Sequence, residues 1–155
     1  MAFGRRFKPL FVRINEDTYG VELSPGQREL IDGLLEQLTD MLDGNNPAVR
    51  RLFPTPYGDD DERNAGYAVL AGAELIDNRQ AAIKQVRASL HADAVTTEEL
   101  NAWMRSVNDL RLVIGTILDV TEETVEPEGE ADRELFHVYE HLGFILEHMV
   151  EALTE

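Results

Sequence analysis

The stretch TTEELNAWMRSVNDLRLVIGTIL, residues 96–118, predicts the central helix of the fold. It begins with Thr96-Thr97-Glu98-Glu99, which contains a capping box: a threonine hydroxyl and a carboxylate three residues later satisfy backbone N–H groups at a helix start. Apolar side chains then recur at the three- and four-residue spacing of a helix face, at Leu100, Trp103, Met104, Val107, Leu110, Ile114, Ile117 and Leu118. Because Leu112 and Val113 lie on the opposite side of the helical wheel, we expect this helix to be covered on more than one face.

Two helices are predicted before it. Ser24-Pro25-Gly26-Gln27 combines an N-cap serine, a proline at the first helical position and a glutamine at the third, and predicts a helix that ends at Gly44. A short helical turn is expected within residues 46–53. A long helix should follow the acidic run at residues 59–62 and continue to about Leu90. On its helical wheel one side is shared by Ala68, Leu75, Ala82, Ile83, Val86 and Leu90.

The whole chain, residues 1–155, is interpreted as one domain. Residues 7–23 predict a β-hairpin, because two runs rich in β-branched and aromatic side chains flank a polar turn. A helical core at 24–118, an acidic loop at 119–132 and a C-terminal helix at 133–154 should follow. The predicted fold is therefore mostly α, of the α+β class: a bundle of about four main helices with an N-terminal β-hairpin.

Charge and cysteine content exclude several kinds of function. Thirty acidic against fourteen basic residues give a net charge of −16, which repels nucleic acid and anionic lipid. The basic cluster Arg5, Arg6, Lys8 and Arg13 is interpreted as a solubility feature. The chain has no cysteine, so disulfides, thiolate metal sites and thiol-based redox switches are ruled out. No apolar run approaches the roughly 18 to 20 residues of a membrane span, and we expect a cytoplasmic protein.

The string His137-Val138-Tyr139-Glu140-His141 spells H-x-x-E-H, the zinc signature of inverted zincin proteases. His137 and His141 lie one helical turn apart and could share a metal ion, with Glu134 and His148 on the same stripe. Those proteases take a third ligand from a distant second helix, whereas only fourteen residues follow His141. The preferred interpretation places both histidines at the solvent border of an amphipathic helix, with a metal-dependent hydrolase as the alternative.

Arginines at apolar positions are the more specific polar signal. Arg111 falls within the apolar arc of the central helix, and Arg79 falls within that of the long helix before it. A buried guanidinium needs a carboxylate or carbonyl partner, and Asn108 and Asp109 lie beside Arg111. These residues and Arg105 either form a structural network that holds the helices in register, or face a groove that receives a protein partner.

Catalytic motifs are missing from this sequence: the glycines form no phosphate-binding loop, and no G-x-S-x-G segment presents a serine. We therefore expect a protein that is not an enzyme and needs no cofactor.

A resemblance to a known family supports the expectation that this protein is not an enzyme. The segment WMRSVNDLRLVIGT at residues 103–116, followed by VTEE at 120–123 and VYEHLG at 138–143, resembles the central W-L-R-x-L-N-D-L-R-L-V-L-G-T…V-T-E block of an actinobacterial domain of unknown function family, number twenty-seventeen. The residues of this signature that we expect in the core are Trp103, Leu110, Gly115 and Tyr139.

The resemblance implies a regulator of oxidative-stress transcription that acts through an alternative sigma factor, because members of the family are labelled in that way. The expected partner is a sigma factor or RNA polymerase, and direct nucleic-acid or membrane binding is not expected. The alternative is an adaptor linked to Clp proteolysis, since members are often encoded beside a Clp adaptor. A homodimer is a further possibility. Without cysteine, a stress signal must enter elsewhere than through thiols of this chain.

Overall fold

The described residues of the computed structural model, 8–44, 46–53, 55–119 and 127–155, have the expected mostly helical α+β architecture. They form three strands, four α-helices and one short 3₁₀ helix. In chain order these are β1 (Phe11–Asn15), β2 (Thr18–Val21), α1 (Pro25–Asp43), the 3₁₀ helix (Pro47–Leu52), α2 (Asp61–Ser89), β3 (Ala94–Thr96), α3 (Thr97–Leu118) and α4 (Glu130–Thr154). Among these helices, none combines the length and apolar character that a bilayer span requires.

Both predicted capping boxes are confirmed, and they set the starts of α1 and α3. The Ser24 hydroxyl accepts a hydrogen bond from the Gln27 N–H at 3.1 Å, and the Gln27 side chain accepts one from the Ser24 N–H at 2.8 Å. Thr96 and Glu99 repeat this exchange at 3.1 and 2.9 Å. Each box satisfies two N–H groups that a helix start otherwise leaves unpaired.

The hairpin is present, but it is part of a larger sheet than predicted. β1 pairs antiparallel with β2, and β2 pairs antiparallel with β3, which gives the strand order β1-β2-β3. β3 was not predicted: it lies within the range 24–118 that was assigned to the helical core, and it places Val95 opposite Tyr19. Three residues are too few to show the alternation that reveals a strand in sequence, so only the pairing with β2 defines it.

The core surrounds α3. Helix α3 packs against α1, α2, α4 and the 3₁₀ helix. Val113, which lies outside the main apolar stripe of α3, is also buried. The expectation that this helix is covered on more than one face is therefore confirmed. Trp103 of α3 is buried in this core. Its indole N–H donates to the buried Ser89 hydroxyl at 2.7 Å, and its ring contacts the Phe11 ring edge-on, with 6.2 Å between the ring centres.

The start of the last helix differs from the prediction. α4 begins at Glu130, three residues before the predicted start. Glu130 and Asp132 lie in its first turn, where negative charge is favoured by the helix dipole. The predicted acidic loop is correspondingly shorter, and its residues 120–126 lie outside the described part of the chain, as do Arg5 and Arg6.

In α2, buried side chains occur only in the C-terminal half. Ile83, Val86 and Leu90 belong to the core, as their shared side of the helical wheel suggests. Ala68, on the same side, is exposed, and Leu75 is half-buried. The helix thus extends beyond the elements that cover it.

Candidate functional site on helices α3 and α4

Two glycines allow α3 and α4 to pack closely. A Cβ atom added to Gly115 of α3 would lie 3.3 Å from the Tyr139 ring of α4. Conversely, a Cβ atom added to Gly143 of α4 would lie 3.2 Å from the Arg111 guanidinium of α3. Each glycine therefore leaves space for a large side chain of the opposite helix. This contact brings together two of the signature residues, Gly115 and Tyr139.

Arg111 is half-buried in this contact, and its partners come from α4. Its Nε donates to the Tyr139 carbonyl at 3.4 Å, and its guanidinium lies 4.4 Å from the centre of the Tyr139 ring. A cation above an aromatic face is attracted by the ring quadrupole. Arg111 thus joins the two helices through a carbonyl and a ring.

Arg79 and Asp109 form an ion pair that joins α2 to α3. Arg79 also donates to the Leu52 carbonyl at 3.0 Å, which ties in the end of the 3₁₀ helix. Burial raises the pKa of the Asp109 carboxyl, and the hydrogen bond from Arg79 opposes part of that rise. The pair therefore fixes three elements relative to one another.

Arg105 and Asn108 lie elsewhere, on an exposed side of α3, where they line a groove between α3 and α4. The groove has a volume of about 260 Å³, and Met104, Leu146 and Val150 provide its apolar lining. Val150 is 44% exposed, so this apolar surface is open to solvent. The predicted polar set is thus divided: Arg79, Asp109 and Arg111 join elements, whereas Arg105 and Asn108 border an open apolar groove.

The histidines of α4 have different surroundings. His141 lies 3.3 Å from the Gln27 side-chain nitrogen of α1, and His148 Nδ1 accepts a hydrogen bond from the Leu10 N–H at 3.2 Å. His137 and Glu134 are exposed. Among the described residues, no three histidine, aspartate or glutamate side chains converge as metal ligands would.

A groove of about 650 Å³ lies between α1 and α2. Part of its polar lining is paired: Arg87 donates to Asp32 at 2.7 Å, and Gln80 donates to Asp43 at 2.7 Å. These bonds stabilise the packing of the two helices.

Arg28 of α1 is an important polar residue that the sequence analysis missed. It is only 8% exposed and donates to four backbone carbonyls, those of Val21, Leu23, Leu90 and Ala92, at 2.8 to 3.2 Å. The bonds join the end of β2 to the C-terminal end of α2. A signal was available: Arg28 continues, at three- and four-residue spacing, the buried stripe Ile31, Leu35, Leu38 and Leu42.

Comparison with known proteins assigns the chain to a family. The "Putative oxidative stress regulator AosR" of Mycobacterium leprae is 32% identical over 143 residues, covering 77% of this chain and 66% of the relative. The "Oxidative stress regulator AosR" of Mycobacterium tuberculosis is 29% identical over the same length and coverage. The chain thus spans slightly less than two thirds of these relatives. No solved structure matches the chain significantly. A family model described as "Domain of unknown function (DUF2017)" matches residues 5–153, and the chain belongs to that family.

Proposed function

We propose that this protein is a cytoplasmic, non-enzymatic regulator of oxidative-stress transcription that acts by binding a protein partner in the α3–α4 groove. The observation that carries the proposal is an open apolar groove bordered by Arg105 and Asn108, in a chain whose relatives are named oxidative stress regulators.

The groove suits the apolar face of an amphipathic helix. Met104, Leu146 and Val150 offer an apolar surface, and grooves of this kind bind helices through side chains spaced three and four residues apart. Arg105 at the border can pair with a partner carboxylate, and arginine is frequent among residues that dominate binding energy. The site therefore combines apolar contact with one orienting charge.

The charge of the whole chain favours a basic partner. A net charge of −16 attracts cationic proteins over distances of about a Debye length, roughly 8 to 10 Å at physiological salt. DNA-binding proteins carry basic surfaces, and a sigma factor is a protein of that kind. We infer that the partner is an alternative sigma factor, alone or within RNA polymerase.

The experiment is a binding titration against purified sigma factors of the host, by calorimetry or interferometry. In Arg105→Glu, we expect affinity to fall by about 10-fold or more, because the variant places a repelling charge beside the groove. Lys84→Glu is the matched control, because it makes the same charge change at an exposed position of α2. We expect its affinity to stay within about 2-fold of the unmodified protein.

Two results would contradict the proposal. If both variants change affinity equally, the partner responds to overall charge and the groove is not its site. If a pull-down from the host recovers Clp components and no sigma factor or polymerase, the protein acts in proteolysis instead.

A further inference from the structure

All sulfur atoms of this chain belong to methionines. The chain has four methionines and no cysteine, so the thioether is the sulfur group on which a peroxide can act. Met149 is fully buried in the core, with 0% of its surface exposed. Met41 and Met104 are half-buried at the edge of the core. Of the methionines in the described part of the chain, these two are therefore the ones that an oxidant in solution can reach.

Met104 differs from Met41 in the surface to which it belongs. Met104 lines the α3–α4 groove together with Leu146 and Val150, and Val150 shows that the groove is open to solvent, since it is 44% exposed. Met41 lies on α1 and has no part in this lining. A chemical change at Met104 therefore alters the groove, whereas the same change at Met41 leaves the groove untouched.

Oxidation of Met104 would turn an apolar part of the groove into a polar one. Hydrogen peroxide transfers one oxygen atom to the thioether sulfur, its O–O bond breaks, and one molecule of water is released. The sulfur is oxidised to the sulfoxide, and the peroxide is reduced to water. Methionine sulfoxide is polar, and its oxygen accepts hydrogen bonds, whereas the thioether is apolar and fills irregular gaps. The side chain thus keeps its place but loses its apolar character.

A hydrogen-bond donor lies beside Met104 on the same face of α3. Asn108 follows it by one helical turn, and both residues line the groove. The Asn108 side chain is exposed, so its amide N–H can donate to the sulfoxide oxygen in the free protein. This bond would hold the oxygen within the groove, where the apolar side chains of a partner would otherwise pack.

We propose that Met104 is an oxidation site, and that its sulfoxide releases the protein partner from the α3–α4 groove. The inference rests on the proposed function, because it assigns to the same groove the route by which an oxidant acts. A polar oxygen that a partner's apolar face covers loses its water, and this loss weakens binding. Sulfoxide reductases convert methionine sulfoxide back to methionine, so the release is reversible.

The first measurement needs no partner. The full chain is treated with hydrogen peroxide, and peptide mass spectrometry follows the sulfoxide at each methionine over time. We expect Met104 to be oxidised at least about 10-fold faster than Met149, because oxidation follows exposure of the sulfur. Circular dichroism verifies that the oxidised protein stays folded. Oxidation of Met104 no faster than that of Met149 would overturn the proposed site.

The second measurement is the sigma-factor titration with protein that has been oxidised and then freed of peroxide. We expect its affinity to be about 10-fold lower than before oxidation, and to recover after treatment with a methionine sulfoxide reductase. Met104→Leu should bind within about 2-fold of the unmodified protein and resist peroxide, because leucine has a similar volume and no sulfur. Met104→Gln should bind weakly without any oxidant, since its amide is polar. Met41→Leu is the matched control, and it should remain sensitive to peroxide.

The outcomes separate this inference from the proposed function. If the protein binds no sigma factor before oxidation, the proposed function and this inference both fail. If it binds, but peroxide leaves the affinity unchanged, the inference alone is wrong. The same conclusion follows if Met104→Leu loses its affinity on oxidation as much as Met41→Leu does.

Discussion

At the scale of single residues, Arg28 connects more of the backbone than any other side chain of α1. Replacing it with methionine keeps much of the buried volume but leaves four carbonyls without their donor. We expect Arg28→Met to lower the free energy of unfolding by about 2 to 4 kcal/mol. Arg28→Lys should retain only part of the stability that Arg28→Met loses, because a compact ammonium cannot reach all four carbonyls as the planar guanidinium does.

Urea unfolding measures this effect, with Arg63→Met as the control at an exposed arginine. A loss for Arg28→Met equal to that of the control would show that the carbonyls find other donors.

Asp109 leads to a prediction on pH. Burial raises the pKa of its carboxyl above the ordinary 3.8, so the folded state holds this proton to a higher pH than the unfolded state. The protonated carboxyl contributes its full stabilisation at pH values below 3.8, the pKa of the unfolded state. This contribution is lost as pH rises through the pKa of the folded state. Asp109→Asn removes this titration. The stability of the unmodified protein minus that of the variant should therefore fall as pH rises through this window.

Urea unfolding at several pH values from about 3 to about 7 provides the measurement, and Asp59→Asn serves as the exposed control. A difference that instead grows with pH would mean that attraction to Arg79 outweighs the cost of burying the carboxylate.

At the scale of elements, two helical glycines have opposite roles. A Cβ atom at Gly72 of α2 would meet nothing within 4 Å, whereas at Gly115 of α3 it would press on the Tyr139 ring at 3.3 Å. Alanine is favoured over glycine within a helix by about 0.5 to 1 kcal/mol. We expect Gly72→Ala to raise stability by about that amount, and Gly115→Ala to lower it because α3 and α4 must separate.

Thermal unfolding distinguishes the two changes. An increase in stability for Gly115→Ala would indicate that Tyr139 moves aside at little cost.

At the scale of the whole molecule, this acidic protein has two open apolar surfaces, which lie on different helices. The α3–α4 groove has a charged border, and the exposed α2 surface at Val69 and Leu70 has charges at its two ends. The two surfaces share no residue, so a substitution in one leaves the other unchanged.

Much of the fold could be predicted because its signals are local. Capping boxes at Ser24 and Thr96 involve residues three positions apart, and apolar stripes repeat within each helix. The hairpin turn and the family signature around Trp103 are also contiguous. Sequence reasoning identifies such features because every atom that decides them lies within a few residues along the chain.

The candidate site was only partly predictable. Arg79, Arg105 and Arg111 stood out at the level of sequence, but helical spacing alone could not say that one pairs with Asp109, one borders a groove and one lies on the Tyr139 ring. Arg28 was missed because its carbonyl partners lie as far as 64 residues away. Such partners converge only when separate elements pack.

The sequence by itself determined the helices, the hairpin, the charge and the absence of thiol chemistry, since each depends on composition or on neighbouring residues. Only the tertiary structure decided which apolar faces are covered. β3 exists because β2 lies beside it, and the N-terminal half of α2 is exposed because no described element packs there. Burial is a property of pairs of elements, and a periodic pattern on one helix does not specify what covers it.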